Sequence, residues 1–143
     1  MAKYMEREEV NLELLQELLE MHYDAKMDKE DNEIFLKDLC ITLRLDVERS
    51  IIQLNARLTP SEKVSSAKIL KYTNECNKNF ILAKVVLIEF EDENSKKLRS
   101  IRFEYEIDYY YGFSPVGIIK AVKKFDNIVE LMIEKGNELK VLG

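Results

Sequence analysis

Apolar and polar residues alternate from Leu98 to Phe113. Ile101, Phe103, Tyr105, Ile107, Tyr109 and Tyr111 fall on one side; Arg102, Glu104, Glu106, Asp108 and Tyr110 fall on the other. This period of two predicts a strand with one buried and one wet face. Ile81–Phe90 is apolar on both sides for much of its length, as in a central strand, and Asp92–Lys97 turns it back. With Glu93 facing Lys96, Ile88 lies opposite Ile101, Val86 opposite Phe103 and Leu82 opposite Ile107. The aromatic side of one strand then meets the apolar side of the other.

Upstream, the spacing is helical. Val10, Leu14, Leu18 and Met21, widened by Leu15 and Leu19, predict a helix from about Met5 to His22, with Glu6, Glu8 and Glu9 in its first turn. Residues 24–33 form a charged connector whose acids lack the glycine and spacing of a calcium loop. Between 34 and 58, Leu36, Cys40, Leu43, Val47, Ile51, Leu54 and Leu58 keep three-four spacing. Ile41, Leu43, Leu45 and Val47 also alternate with Thr42, Arg44, Asp46 and Glu48. Length decides for a helix, with a break near Asp46. Thr59-Pro60-Ser61-Glu62 has the form of a capping box, predicting a helix from Pro60 to about Tyr72 that buries Val64, Ala67 and either Leu70 or Ile69. Asn74–Asn79 then reads as a turn.

The tail has two readings. Ile118, Val122, Phe125, Val129 and Met132 suit a helix starting at Ser114-Pro115. Asp126-Asn127 and Gly136-Asn137 suit turns between strands at Ile118–Phe125, Ile128–Lys135 and Glu138–Leu142. The meander is preferred. The fold expected is α+β: an N-terminal helical layer of about three helices packed on a C-terminal antiparallel β-meander. It forms a single domain over 1–143, mainly helical in 1–79 and mainly sheet in 80–143.

Composition narrows the function classes more than it names one. With 143 residues, 46% apolar and 34% charged, the chain suits one globular domain. No apolar run approaches a bilayer span, and the N-terminus lacks a signal peptide's apolar core, so no membrane and a cytoplasmic location are expected. Acidic residues dominate 1–62, whereas 63–143 is mildly basic; a self-complementary assembly is one explanation.

Catalytic patterns are sparse. Four glycines leave no room for a dinucleotide fingerprint. His22 is the single histidine, and Cys40 and Cys76 belong to no cluster, so neither zinc nor any cofactor is expected. Glu104, Glu106 and Asp108 share a strand face but sit too far apart to chelate one ion unaided. Asp126 with Glu138-Leu139-Lys140 resembles the acid…Glu-x-Lys arrangement of a metal-dependent nuclease superfamily, a remote alternative.

Two binding readings remain. The Pro60–Asn74 helix presents Ser65, Lys68, Lys71 and Tyr72, and with the hairpin behind it imitates a winged helix-turn-helix for nucleic acid. The acidic total opposes this. Tyr109, Tyr110, Tyr111 and Phe113 put aromatics on both faces at a strand end, as at a protein–protein interface. The preferred reading is a non-catalytic intracellular interaction or regulatory protein (adaptor, inhibitor or immunity type) whose partner is another protein, with a homodimer as one form.

Overall fold

The computed structural model describes residues 4–79 and 83–142. Its elements run in chain order as α1 (Leu12–Glu20), β1 (Ala25–Asp28), β2 (Glu33–Leu36), β3 (Ile41–Asp46), β4 (Ile51–Leu58), α2 (Ser66–Asn79), β5 (Lys84–Glu91), β6 (Lys97–Asp108) and α3 (Pro115–Glu138). Among the described residues, six strands order as β1-β2-β3-β4-β6-β5. The fold is α+β with a multi-strand antiparallel sheet, but helices and strands are interspersed. The expected N-terminal helical layer is absent: four strands follow α1, and the C-terminal part holds the longest helix.

The chain divides into two compact units, each assembled from two stretches. The first comprises Met1–Asn55 and Tyr105–Asp126. Here Asn11 caps α1 by accepting the Leu14 N–H, and the helix buries Leu12, Leu15 and Leu19. The expected helix over Met5–His22 is therefore shorter, and Met21 stands exposed. The charged connector at 24–33 holds β1, a turn, and the start of β2. Asp28 organises that turn by accepting the Glu30 and Asp31 N–H groups.

Residues 34–58 are strands rather than a helix. Ile34 pairs with Leu43, and Leu43 with Leu54, all buried, while Thr42 and Arg44 take the other side. Helical spacing across this stretch arose because turns interrupt the alternation at intervals that mimic a longer period. Cys40 and Ser50 adopt left-handed backbone (φ 53° and 54°), which a helix excludes. Asp46 accepts the Arg49 N–H and pairs with its guanidinium at 2.7 Å, holding the second turn. From the later stretch, Tyr109, Phe113, Ile118, Val122 and Phe125 join this unit's core, with the Tyr105 and Phe125 rings 6.3 Å apart.

The second unit comprises Ala56–Glu104 and Asn127–Gly143. The capping-box expectation fails here: Pro60 sits in a strand-like bridge with Leu142, and the Ser61 N–H donates to the Val141 carbonyl. The helix starts later, at Ser66, with Ser65 Oγ accepting the Lys68 N–H. Its buried face is Ile69, Tyr72, Thr73 and Cys76, Ala67 and Leu70 are exposed, and the helix runs through the turn expected at 74–79.

Strand β5 lies at the edge of the sheet, not its centre. Its register with β6 is one residue from that expected: Val85 faces Phe103 and Leu87 faces Ile101. The loop sets the difference, since Asp92 Oδ1 accepts both the Asn94 and Lys96 N–H groups at 2.9 Å, making Glu91 and Lys97 the last pair. Ile81 and Leu82, and so the pairing of Leu82 with Ile107, lie outside the described residues.

The preferred C-terminal meander is also overturned. Pro115–Glu138 is one helix, opened by Ser114 Oγ accepting the Gly117 N–H and closed where Lys140 turns left-handed (φ 57°). Asp126-Asn127 makes no turn, because the buried series Ile118, Val122, Phe125, Val129 and Met132 holds a single helical face. Gly136 lies inside the helix, where a Cβ would come within 2.8 Å of the Leu142 side chain.

Candidate functional site

The feature that stands out is an aromatic corner in the first unit, where β6 ends. Asp108 Oδ1 accepts the Tyr110 N–H at 2.8 Å and stops the strand in a side-chain-closed turn. Tyr109 is turned inward, its N–H donating to the Ser50 carbonyl at 2.9 Å. Gly112, at φ 132°, lets the chain reverse, and Phe113 then exchanges backbone hydrogen bonds with Met5 at 2.7 and 2.8 Å. That bridge lays Tyr4–Arg7 beside Tyr110–Phe113.

The result is a surface cluster. Tyr111 is 89% exposed, Tyr4 65% and Tyr110 51%. The Tyr4 hydroxyl donates to the Tyr111 carbonyl at 3.1 Å, and the Tyr110 and Tyr111 rings meet edge to face at 5.0 Å. The Arg7 guanidinium lies 4.2 Å from the Tyr110 ring centre, and Glu8 pairs with it at 3.2 Å. Hydrogen bonding with Tyr110 holds the Arg7 pKa above its ordinary value, while the Glu8 backbone N–H, then Arg7, holds the Glu8 carboxyl below its own. Glycine is favoured at position 112 because a φ of 132° strains any L side chain, and a Cβ there would also collide with the Tyr4 side chain as it lies.

Of the four residues singled out as an aromatic interface, two are core: Tyr109 and Phe113 are buried, and burial raises the Tyr109 pKa. Tyr110 and Tyr111 are on the surface. Strict alternation places Tyr111 on the buried side, but the strand stops at Asp108 and the turn throws it outward. Tyr4 and Arg7 belong to no periodic pattern, and only the Met5–Phe113 bridge brings them here.

The residues considered for nucleic acid divide in the same way. Lys68 and Lys71 are exposed on α2. Ser65 is used as the helix cap, and Tyr72 is buried with its hydroxyl donating to the Met132 carbonyl. Beside the start of α2 is a cleft of about 610 Å³ lined by Glu62, Glu89 and Glu91 together with Lys96, Lys97 and Arg99. Arg99 is held by Ser66 Oγ at 3.3 Å and the Ser61 carbonyl at 3.1 Å. Its mixed signs select neither anions nor cations.

No group of three or more His, Cys, Asp or Glu among the described residues is placed to hold a metal. The nuclease-like acids Asp126 and Glu138 lie on α3 more than three turns apart, about 18 Å along the axis. Among the described residues, no helix is long and apolar enough to cross a membrane.

No family model matches the chain, and no curated protein matches it in sequence. Among solved structures it is similar to YbjN from E. coli, described as a putative transcription regulator. The match has 13% identity and a TM-score of 0.77, covering 94% of this chain and 96% of that one. It is also similar to an uncharacterized protein from Methanothermobacter thermautotrophicus, at 15% identity and a TM-score of 0.57, covering 92% and 99% respectively. At these identities the likeness is one of fold.

Proposed function

We propose that this chain is a non-catalytic, intracellular regulatory protein that acts by binding another protein through the corner formed by Tyr110, Tyr111, Tyr4 and Arg7. The observation that carries the reading is Tyr111, an almost fully exposed aromatic on a turn braced by Asp108, Gly112 and the Met5 bridge. Tyrosine and arginine supply rigid contact area at low entropic cost and dominate interface hot spots. A preformed turn leaves little further ordering to oppose binding.

Nucleic-acid binding is the second reading. It is favoured by exposed Lys68 and Lys71 on α2 and by the description of YbjN as a putative transcription regulator. One comparison separates the two. Tyr110→Ala with Tyr111→Ala should abolish capture of specific partner proteins, scored by mass spectrometry against wild type, and leave the melting temperature unchanged. Lys68→Glu with Lys71→Glu should leave that capture intact. If the lysine pair instead abolishes a salt-dependent affinity for duplex DNA, and the tyrosine pair changes nothing, the protein-binding reading is wrong.

A further inference from the structure

Strand β5 is an edge strand of eight residues, without proline or glycine, and four of its side chains are apolar beyond the buried Val85. Such an edge is a template for another strand unless it is blocked. One block is visible. The Asn77 side chain accepts the Val85 N–H and donates to the Val85 carbonyl, both at 2.8 Å, as the backbone of a neighbouring strand would. It follows that Val85 points its backbone groups away from β6. By alternation, so do Leu87 and Glu89, while Val86, Ile88 and Phe90 bond to β6.

Among the described residues, no other cap covers Leu87 or Glu89. Val86 and Ile88 are half-buried and Phe90 is 44% exposed, all on the face opposite Val85 and Phe103. Within the hairpin, Glu89 faces Arg99 and Glu91 faces Lys97 on the other face.

We propose that the outer edge of β5 pairs antiparallel with β5 of a second copy of this chain, in the register that centres Ile88 on Ile88. This pairing uses none of the residues of the tyrosine corner and does not rest on that reading. Leu87 and Glu89 exchange both backbone hydrogen bonds with Glu89 and Leu87 of the second copy. Val86 lies opposite Phe90 and Phe90 opposite Val86, so one face gains an unbroken apolar strip of six side chains.

Neighbouring registers are worse. Centring on Leu87 leaves one exchanging pair, because Asn77 already occupies Val85. Centring on Glu89 sets two carboxylates directly opposite each other. Asn77 thus acts as a stop that selects the register.

The test uses the full chain. Light scattering after size exclusion should give twice the 16.8 kDa chain mass. Glu89→Pro removes an N–H that β6 does not use, and Ile88→Lys sets like charges face to face. Each should give the monomer mass with unchanged far-ultraviolet circular dichroism. Register is read separately in a Cys40→Ser background oxidised with copper phenanthroline. Ile88→Cys should give a covalent dimer, since unbonded antiparallel pairs bring Cα atoms to about 4.5 Å, and Val86→Cys should not. A monomeric wild type, a dimer indifferent to both edge variants, or cross-linking at Val86→Cys instead of Ile88→Cys would each overturn the proposal.

Discussion

Tyr72 shows how much a single side chain sets conditions for its surroundings. Its ring is buried and its hydroxyl donates to the Met132 carbonyl, an arrangement open only to the protonated phenol. Burial, then Cys76, raises its pKa above the ordinary tyrosine value. A raised folded pKa means the stabilisation is complete below the ordinary value of about 10 and is lost as pH rises beyond it. Tyr72→Phe should cost about 1 kcal/mol at neutral pH. Urea titrations from neutral to strongly alkaline pH should show a shallower loss of stability above pH ~10 than in wild type. The loss should not vanish, because burial also raises the Tyr109 pKa. In the sequence Tyr72 falls among the polar and basic residues from Ser65 to Asn74 and so reads as part of a recognition face. Which side of the helix packs is set by contacts distant in sequence, such as that of the Tyr72 hydroxyl with the Met132 carbonyl, and not by where the helix starts. The aromatic corner was half legible for a similar reason. The run Tyr109–Phe113 announced itself, but which tyrosines face outward depended on where the strand stopped.

Among the elements, β6 was the most legible, because Ser100–Asp108 alternates without interruption and has no competing period. The strands β2 to β4 were misread because turns without glycine or proline joined them, and left-handed Cys40 and Ser50 carry no strong residue signature. The helix α3 was misread in the opposite direction. Asp126-Asn127 and Gly136-Asn137 are turn pairs only where no apolar face runs through them, and here Phe125, Val129 and Met132 do. The pairing of α2 with β5 has its own device in Asn77, whose amide closes two hydrogen bonds on Val85. Asn77→Ala should lower the unfolding free energy by about 1–2 kcal/mol in chemical denaturation, since water can reach the freed backbone groups. Asn77→Asp should fail to restore it, because a carboxylate cannot donate to the Val85 carbonyl.

At the scale of the molecule, the class was legible and the layout was not. An α+β chain with helices and an antiparallel sheet follows from the mixture of periods, whereas which stretches form which depends on short runs that period alone leaves ambiguous: 34–58 is strands and Pro115–Glu138 is a helix. Each compact unit draws on both an early and a late stretch: Met1–Asn55 with Tyr105–Asp126, and Ala56–Glu104 with Asn127–Gly143. A fragment ending at Glu104 lacks the late stretch of both, including Tyr109, Phe113, Phe125 and Met132 from the cores. Such a fragment should show no cooperative thermal transition by circular dichroism, although it carries every residue of β1 to β5. The same interleaving governs order in time. On a ribosome, residues 4–55 emerge ahead of residues 105–126, yet cannot complete their unit until all of residues 56–104 have been made. The second unit, in turn, waits for the end of α3. Closure of contacts this remote in sequence is slow. During synthesis the apolar strands from Ile34 to Leu54 therefore stay open to chaperones and proteases for longer than their early position in the chain suggests.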